Sequence, residues 1–284
     1  MMIVTDTASD IFEDEAAFMG VELVPLDIML GQSHFIRNTP AEFDRFYNAL
    51  KGGADFPTTS QPAPELYRAL YEQAKQRNED VLVIALSGEL SGTVESARMA
   101  AELSDWKDRV YVMDSRHAIT SQRLLVEEAV RLREQDLPAE QIISRLQEYG
   151  RRIRICGVLD SLEYLRRGGR IPAALAVVGD ILSIKPVVAV QEGKLTSFGK
   201  ARGMKAGQRF LRKEFERLER DVRWKVCFLY SQGRKLVDEF ASDFMGRYGI
   251  SDEDARFVQI GPVIGAHLGP DCVGLAFVAT GPVD

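Results

Sequence analysis

A change of rhythm near the middle of the 284-residue chain constrains its fold more than any other feature. Up to about residue 150, short β-branched runs alternate with longer stretches of helical periodicity. The strand-like runs are Ile3–Thr5, Glu22–Met29, Val81–Leu86 and Val110–Met113. Helical patterns fall at Ala41–Leu50, Pro64–Gln76, Ser91–Leu103, His117–Arg133 and Ala139–Tyr149. Apolar strands separated by helices of about 10–15 residues predict an α/β unit, a mainly parallel sheet with helices on both faces. Ligands of such sheets bind beyond the carboxyl ends of the strands. Those ends carry Asp6-Thr7-Ala8-Ser9, Ser87 to Thr93 and Asp114-Ser115, which are expected to converge on one crevice.

Beyond Gly150 the pattern becomes irregular. Strands are expected at Ile153–Leu159, Lys225–Tyr230, Arg256–Ile260 and Val273–Ala279, with a hairpin of Pro186–Val190 and Leu195–Ala201 about Glu192-Gly193. Helices are expected at Leu162–Arg167, Ala173–Ile184, Lys205–Glu219 and Leu236–Tyr248. Hairpins mixed with helices predict an α+β domain with a mainly antiparallel sheet. The length favours two domains, and charge supports the same division. Residues 1–150 hold 14 Lys and Arg against 26 Asp and Glu, whereas residues 151–284 hold 22 against 16. The expected organisation is therefore an N-terminal α/β domain, 1–150, and a C-terminal α+β domain, 151–284.

Several function classes are disfavoured. No charge-free apolar run approaches the ~20 residues of a membrane span. The amino terminus, Met-Met-Ile-Val-Thr-Asp, carries no secretory pattern. Three dispersed cysteines, Cys156, Cys227 and Cys272, read as buried reduced thiols. A cytoplasmic protein without a stable membrane anchor is expected. There is no P-loop lysine, no dinucleotide glycine pattern and no Gly-x-Ser-x-Gly elbow. Histidines and carboxylates do not cluster with metal-ligand spacing. Ten basic residues between Lys200 and Lys225 read either as a solvated, pair-laced helix or as a docking face for an acidic surface or a phosphate. With sparse aromatics and net charge −6, nucleic acid is not an expected partner.

Four short stretches carry possible chemistry. Pro57-Thr58-Thr59-Ser60-Gln61-Pro62 places adjacent hydroxyls between two prolines, able to hold an oxyanion without charge or simply to cap the following helix. Ser87-Gly88-Glu89-Leu90-Ser91-Gly92-Thr93 opens a helix whose first amides are unpaired; Ser91 reads as an N-cap or as an anion donor. Gly261–Pro270 surrounds His267 with glycines and prolines that disfavour a regular helix, leaving the imidazole either structural or close to a ligand. Gly168-Gly169 is expected to end a short helix and re-aim Arg170, as a surface group or as an anion clamp.

In this order, Thr-Ser-Gln-Pro, Leu90-Ser91-Gly92-Thr93, Gly168-Gly169-Arg170-Ile171, Ile184-Lys185-Pro186 and Gly261-Pro262-Val263-Ile264-Gly265 with His267 form a specific combination. By these residues the sequence resembles the DegV family of bacterial fatty-acid-binding proteins over nearly its whole length. The resemblance implies a two-domain fold that buries one long acyl chain in an apolar tunnel. It implies a carboxylate held by Thr59, Ser60 and Ser91, beside Gly92 and near His267. It implies a carrier without catalysis or cofactor of its own, which presents the fatty acid to an ATP-dependent fatty acid kinase. Arg170 and Arg202, with His267, are implied in that phosphotransfer encounter. Short helices around Gly168–Gly179 are the expected lid. The alternative is a stand-alone enzyme on a small carboxylate or phosphorylated substrate, with His267 as general acid or base.

Overall fold

The computed structural model describes residues 1–53, 55–171 and 184–283. The first half contains β1 (Met2–Asp6), α1 (Glu13–Met19), β2 (Val21–Val24), β3 (Asp27–Leu30), β4 (Ser33–Phe35), α2 (Pro40–Lys51), β5 (Thr58–Ser60), α3 (Pro64–Gln76), β6 (Val81–Ala85), α4 (Thr93–Glu102), β7 (Val110–Asp114), α5 (Ile119–Arg133) and α6 (Ala139–Gly150). The second contains β8 (Ile153–Val158), α7 (Glu163–Arg167), β9 (Ile184–Gln191), β10 (Lys194–Arg202), α8 (Met204–Arg217), β11 (Val226–Tyr230), α9 (Lys235–Tyr248), β12 (Ala255–Gln259), α10 (Pro262–Leu268) and β13 (Val273–Val278). The helix expected at Ala173–Ile184 and most of the expected lid lie outside the described residues.

Two large sheets organise these elements. β2-β1-β6-β7 pair in parallel throughout, as alternating strands and crossover helices require. β10-β9-β8-β13-β11-β12 form a mostly antiparallel sheet in which only β11 and β12 run parallel. The α/β class, with a parallel sheet followed by a mainly antiparallel one, is as the sequence predicts. Valines and alanines of the parallel sheet pack under Tyr67 and Tyr71 of α3 and Val94 and Ala97 of α4. α5 lies between the sheets, against β1, β6 and β8, and is buried nearly all round. α8 and α9 cover the outer face of the six-stranded sheet, where Phe215, Phe228, Phe240, Phe244 and Phe277 meet edge to face.

Three local expectations are corrected. The run Glu22–Met29 is two strands rather than one, broken at Pro25, whose missing N–H cannot serve a ladder. β2 stays in the parallel sheet, while β3 turns into a small antiparallel sheet of order β4-β3-β5. Thr58–Ser60, not among the expected strands, is an edge strand of that sheet, β5. Gly261–Pro270, read as non-helical, contains α10: Pro262 occupies the first turn, where its absent donor is not needed, and Gly269, at φ 75°, ends the helix. The glycines are there for space. A Cβ at Gly261, Gly265 or Gly269 would collide with Phe43, the Tyr47 hydroxyl or Tyr164 respectively.

Polar bridges tie the halves together. Asp10, at φ 56°, accepts from the Gly261 amide at 3.0 Å, and Tyr47 donates to the Ile260 carbonyl at 2.8 Å. Glu127 on α5 accepts from both Arg123 (2.8 Å) and Arg256 of β12 (2.6 Å). Beneath α8, Arg154 of β8 meets Glu214 at 2.6 Å, both sealed from solvent. Replacing Glu214 with Ala leaves that guanidinium buried with its acid gone and is expected to cost about 3–5 kcal/mol in urea denaturation. The double change Arg154→Met with Glu214→Leu is expected to restore most of the loss.

Candidate functional site

The six-stranded sheet, α5 and α10 enclose a cavity of about 840 Å³ counting its open mouth. Its walls draw on both halves: Leu26, Leu86, Leu90 and Ile119 from the first, Ile155, Val188, Leu229 and Ile260 from the second. Among the described residues, the polar side chains on its wall apart from cysteine thiols are Thr59, Ser91, Arg170 and His267.

Those four are brought together by contacts between distant segments. In β5 side chains alternate, so Thr59 turns inward opposite the buried Ile28 while Thr58 and Ser60 face solvent. Thr59 Oγ1 lies 2.9 Å from His267 Nε2. His267 is presented by α10 against the end of α7, where a Cβ on Gly168 would collide with the imidazole Nδ1. Beyond Gly168 the chain passes through Gly169 at φ 69°, a left-handed turn that glycine adopts without strain. This returns Arg170 so that it donates to the carbonyls of Gly168 (2.7 Å) and Leu90 (3.3 Å). Among the described residues it has no carboxylate partner within ion-pair distance.

Ser91 follows Leu90 directly. It is not the cap of α4; Gly92 holds that position, and Ser91 Oγ lies 2.9 Å from Thr93 Oγ1. Gly92 does not line the cavity. A Cβ there would overlap the Gln61 side chain, so its bareness lets the 57–62 segment close onto the start of α4. Ser96 then donates to the Pro62 carbonyl. Gln61 stood within the quoted motif, yet nothing local marked it as the residue joining the two hydroxyl segments. Phe56 adds a second fastening, with its ring under the Arg167 guanidinium at 3.8 Å and against Tyr164.

Ser60 and Arg202 do not join the cluster. Ser60 is exposed on the outer side of β5, a consequence of the two-residue strand period. Arg202 is exposed at the end of β10, opposite Ile184 and far along the strand from the cavity-lining Leu195. Of the strand ends expected to form one crevice, the Ser87–Thr93 end reaches the cavity through Leu90 and Ser91, whereas the polar groups of Asp6 and Ser87 are taken up by the protein itself. Asp6 accepts from the amides of Leu86 and Ala8 and from Gln122, and Ser87 donates to the Gly193 carbonyl. Burial pushes the Asp6 carboxyl up to about 6.

Apart from the Arg170 guanidinium the cluster is uncharged. Burial, helped by the nearby Arg170 guanidinium, lowers the His267 pKa from 6.5 to about 4, so the imidazole is neutral near pH 7. Among the described residues its buried Nδ1 has no hydrogen-bond partner. An unpartnered N–H there would cost more than an unpartnered lone pair, which favours the proton on Nε2. Nε2 then donates to Thr59, and the threonine O–H is left to donate into the cavity. The site thus offers two hydroxyl donors and one guanidinium at the rim of an otherwise apolar hollow. No group of three or more His, Cys, Asp or Glu is placed to hold a metal among the described residues, and no helix there is long and apolar enough to cross a membrane.

Such a fold and site define a two-sheet α/β protein built around an amphiphile-shaped cavity. The chain belongs to the DegV family: residues 1–280 match the family model described as "Uncharacterised protein, DegV family". A DegV domain-containing protein of Caldanaerobacter subterraneus subsp. tengcongensis is 33% identical over 288 residues, covering 97% of each chain. A DegV family protein from Thermus thermophilus, solved as a fatty-acid-binding protein, superposes with a TM-score of 0.86 at 32% identity, over 98% of this chain and 99% of that one. The Fatty Acid Kinase (Fak) B3 protein of Streptococcus pneumoniae, loaded with linoleic acid, shares the fold with a TM-score of 0.80 at 19% identity, over 98% of this chain and 100% of that one.

The neutral imidazole has a direct test. In ligand-free protein the His267 ring protons are expected to titrate in NMR with a midpoint of about 4; a midpoint at or above 6.5 would contradict it. His117, also buried, is lowered to about 4 as well. The unfolded chain takes up both protons first, so these two groups withdraw stability as pH falls from 6.5 towards 4. Replacing either histidine with Gln is expected to flatten that part of the stability profile.

Proposed function

We propose that the protein binds one long-chain fatty acid, its acyl chain in the cavity and its carboxylate held by Thr59 and Ser91 beside His267. One observation carries this reading: among the described residues, the cavity wall is apolar except for a single patch of two hydroxyls and a histidine flanked by one arginine. A ligand matching that wall has a long hydrocarbon body and one small acidic head. Burying ~16 methylenes at about 0.8 kcal/mol each gives roughly 13 kcal/mol before association costs, enough for slow release. Fatty acid binding by the Thermus thermophilus relative, at 32% identity over nearly the whole chain, supports the same reading.

We further propose that the protein is a cytoplasmic carrier, not an enzyme, and that it presents the carboxylate to a partner ATP-dependent fatty acid kinase. Arg170, exposed at the cavity rim, and Arg202, exposed on the same half, would face the incoming phosphoryl group. A stand-alone acid–base enzyme is less well supported. Among the described residues no carboxylate orients Nδ1 of His267 or stabilises a protonated ring, and the ring's low pKa opposes holding a proton near pH 7.

Mass spectrometry of protein purified from cells is expected to find one co-purifying long-chain acid per chain. Thr59→Val and Ser91→Ala are each expected to weaken retention about tenfold, roughly one hydrogen bond to a charged acceptor. Arg170→Ala is expected to retain ligand while slowing kinase-dependent acyl-phosphate formation. Equal loss of binding in all three variants would overturn this division of roles.

A further inference from the structure

The six-stranded sheet presents one face to the cavity, and strand register defines the rows of side chains across it. One row runs Val188 on β9, Gly157 on β8, Gly274 on β13, Leu229 on β11 and Val258 on β12, each directly opposite the next. The first four of these line the cavity. Two glycines thus stand side by side in the middle of a sheet whose other cavity-facing positions bear side chains. Neighbouring strands are about 4.8 Å apart, so their juxtaposition leaves a trough two strands wide. Ile155 and Ala276 bound it in the row on one side, Leu159 and Cys272 on the other.

Backbone geometry does not call for glycine at either position, since neither has positive φ. Glycine within a strand weakens it and marks a place where something else approaches closely. The two positions differ in what they would meet. A Cβ at Gly274 would press on Leu229 at 3.2 Å and on the Cys156 carbonyl at 3.0 Å, so Leu229 already leans over that side. A Cβ at Gly157 would find nothing nearer than 3.5 Å and would project into the hollow. The polar groups of the site, Thr59, Ser91, Arg170 and His267, are carried on β5, the turn before α4, the turn after α7 and α10. The sheet contributes only to the apolar part of the cavity.

We infer that Gly157, with Leu229 as the opposing wall, sets how long an acyl chain the cavity accepts, the chain lying in the Gly157–Gly274 trough. This deepens the proposed function and rests on it. A side chain at residue 157 fills the trough and excludes the methylenes that occupied it, each worth about fourfold in affinity. Shortening Leu229 extends the trough.

The test offers delipidated protein an equimolar mixture of saturated C12, C14, C16 and C18 acids and reads bound species by native mass spectrometry. Gly157→Val is expected to lower the ratio of C18 to C14 by about tenfold or more relative to the unaltered protein, with C12 and C14 still bound; Gly157→Ala should fall between. Leu229→Ala is expected to move the ratio in the opposite direction. Should Gly157→Val fail to fold, the Gly157→Ala and Leu229→Ala ratios decide the matter. An unchanged profile in the folded variants, or equal loss of all four lengths, overturns the assignment while leaving fatty acid binding intact. If the unaltered protein binds none of the acids, the proposed function itself fails.

Discussion

The hydrogen bond between Thr59 and His267 spans 208 positions of sequence, and the candidate site exists only if that bond can form. It requires β5 to leave the parallel layer, α10 to enter from the other end of the chain, and α7 to end without a side chain at Gly168. Each requirement is met by a backbone device. Pro25 diverts the chain into the small sheet, the glycines of α10 let it press against Tyr47 and Tyr164, and Gly169 turns Arg170 back onto Leu90. Because Thr59, Ser91 and His267 are neutral, they can be buried without paired charges. A carboxylate at the same place would meet donors whose own desolvation cost is small.

Charge is used elsewhere, mostly for cohesion. Of the basic stretch after Lys200, Arg212, Arg217, Arg220 and Arg223 meet Asp243, Glu214, Asp254 and Asp221. That portion of the stretch is a pair-laced surface. Arg170, by contrast, spends its donors on two carbonyls, where a stronger acceptor can displace them.

The large elements were legible in the sequence because each carries a local signal: short β-branched apolar runs mark β1, β6, β7 and β8, and helical spacing marks α3, α5 and α9. Elements set by tertiary contact were not. α10 defies its propensities because packing rewards close approach more than glycine costs. β5, three residues long, is too short to show a period, yet its pairing with β3 decides that Thr59 faces inward and Ser60 outward. The hydroxyl motifs and the histidine could be picked out by residue type. The role of Gly92 as a contact for Gln61 could not, because it depends on what stands opposite. The hollow itself was illegible for the same reason: it arises where Gly157 and Gly274 fall in register across two strands far apart in sequence.

The placement of α10 has a consequence for how the molecule is made. Its Val263, Ala266 and Leu268 complete a core that also contains Leu26, Phe46 and Tyr47, and the amide of Gly261, just before it, donates to Asp10. A nascent chain emerging from the ribosome therefore carries an N-terminal layer whose inner surface stays uncovered until residues 262–268 are translated. Biogenesis is then a late, all-at-once closure rather than a relay of finished domains, and the ligand chamber forms in the same event.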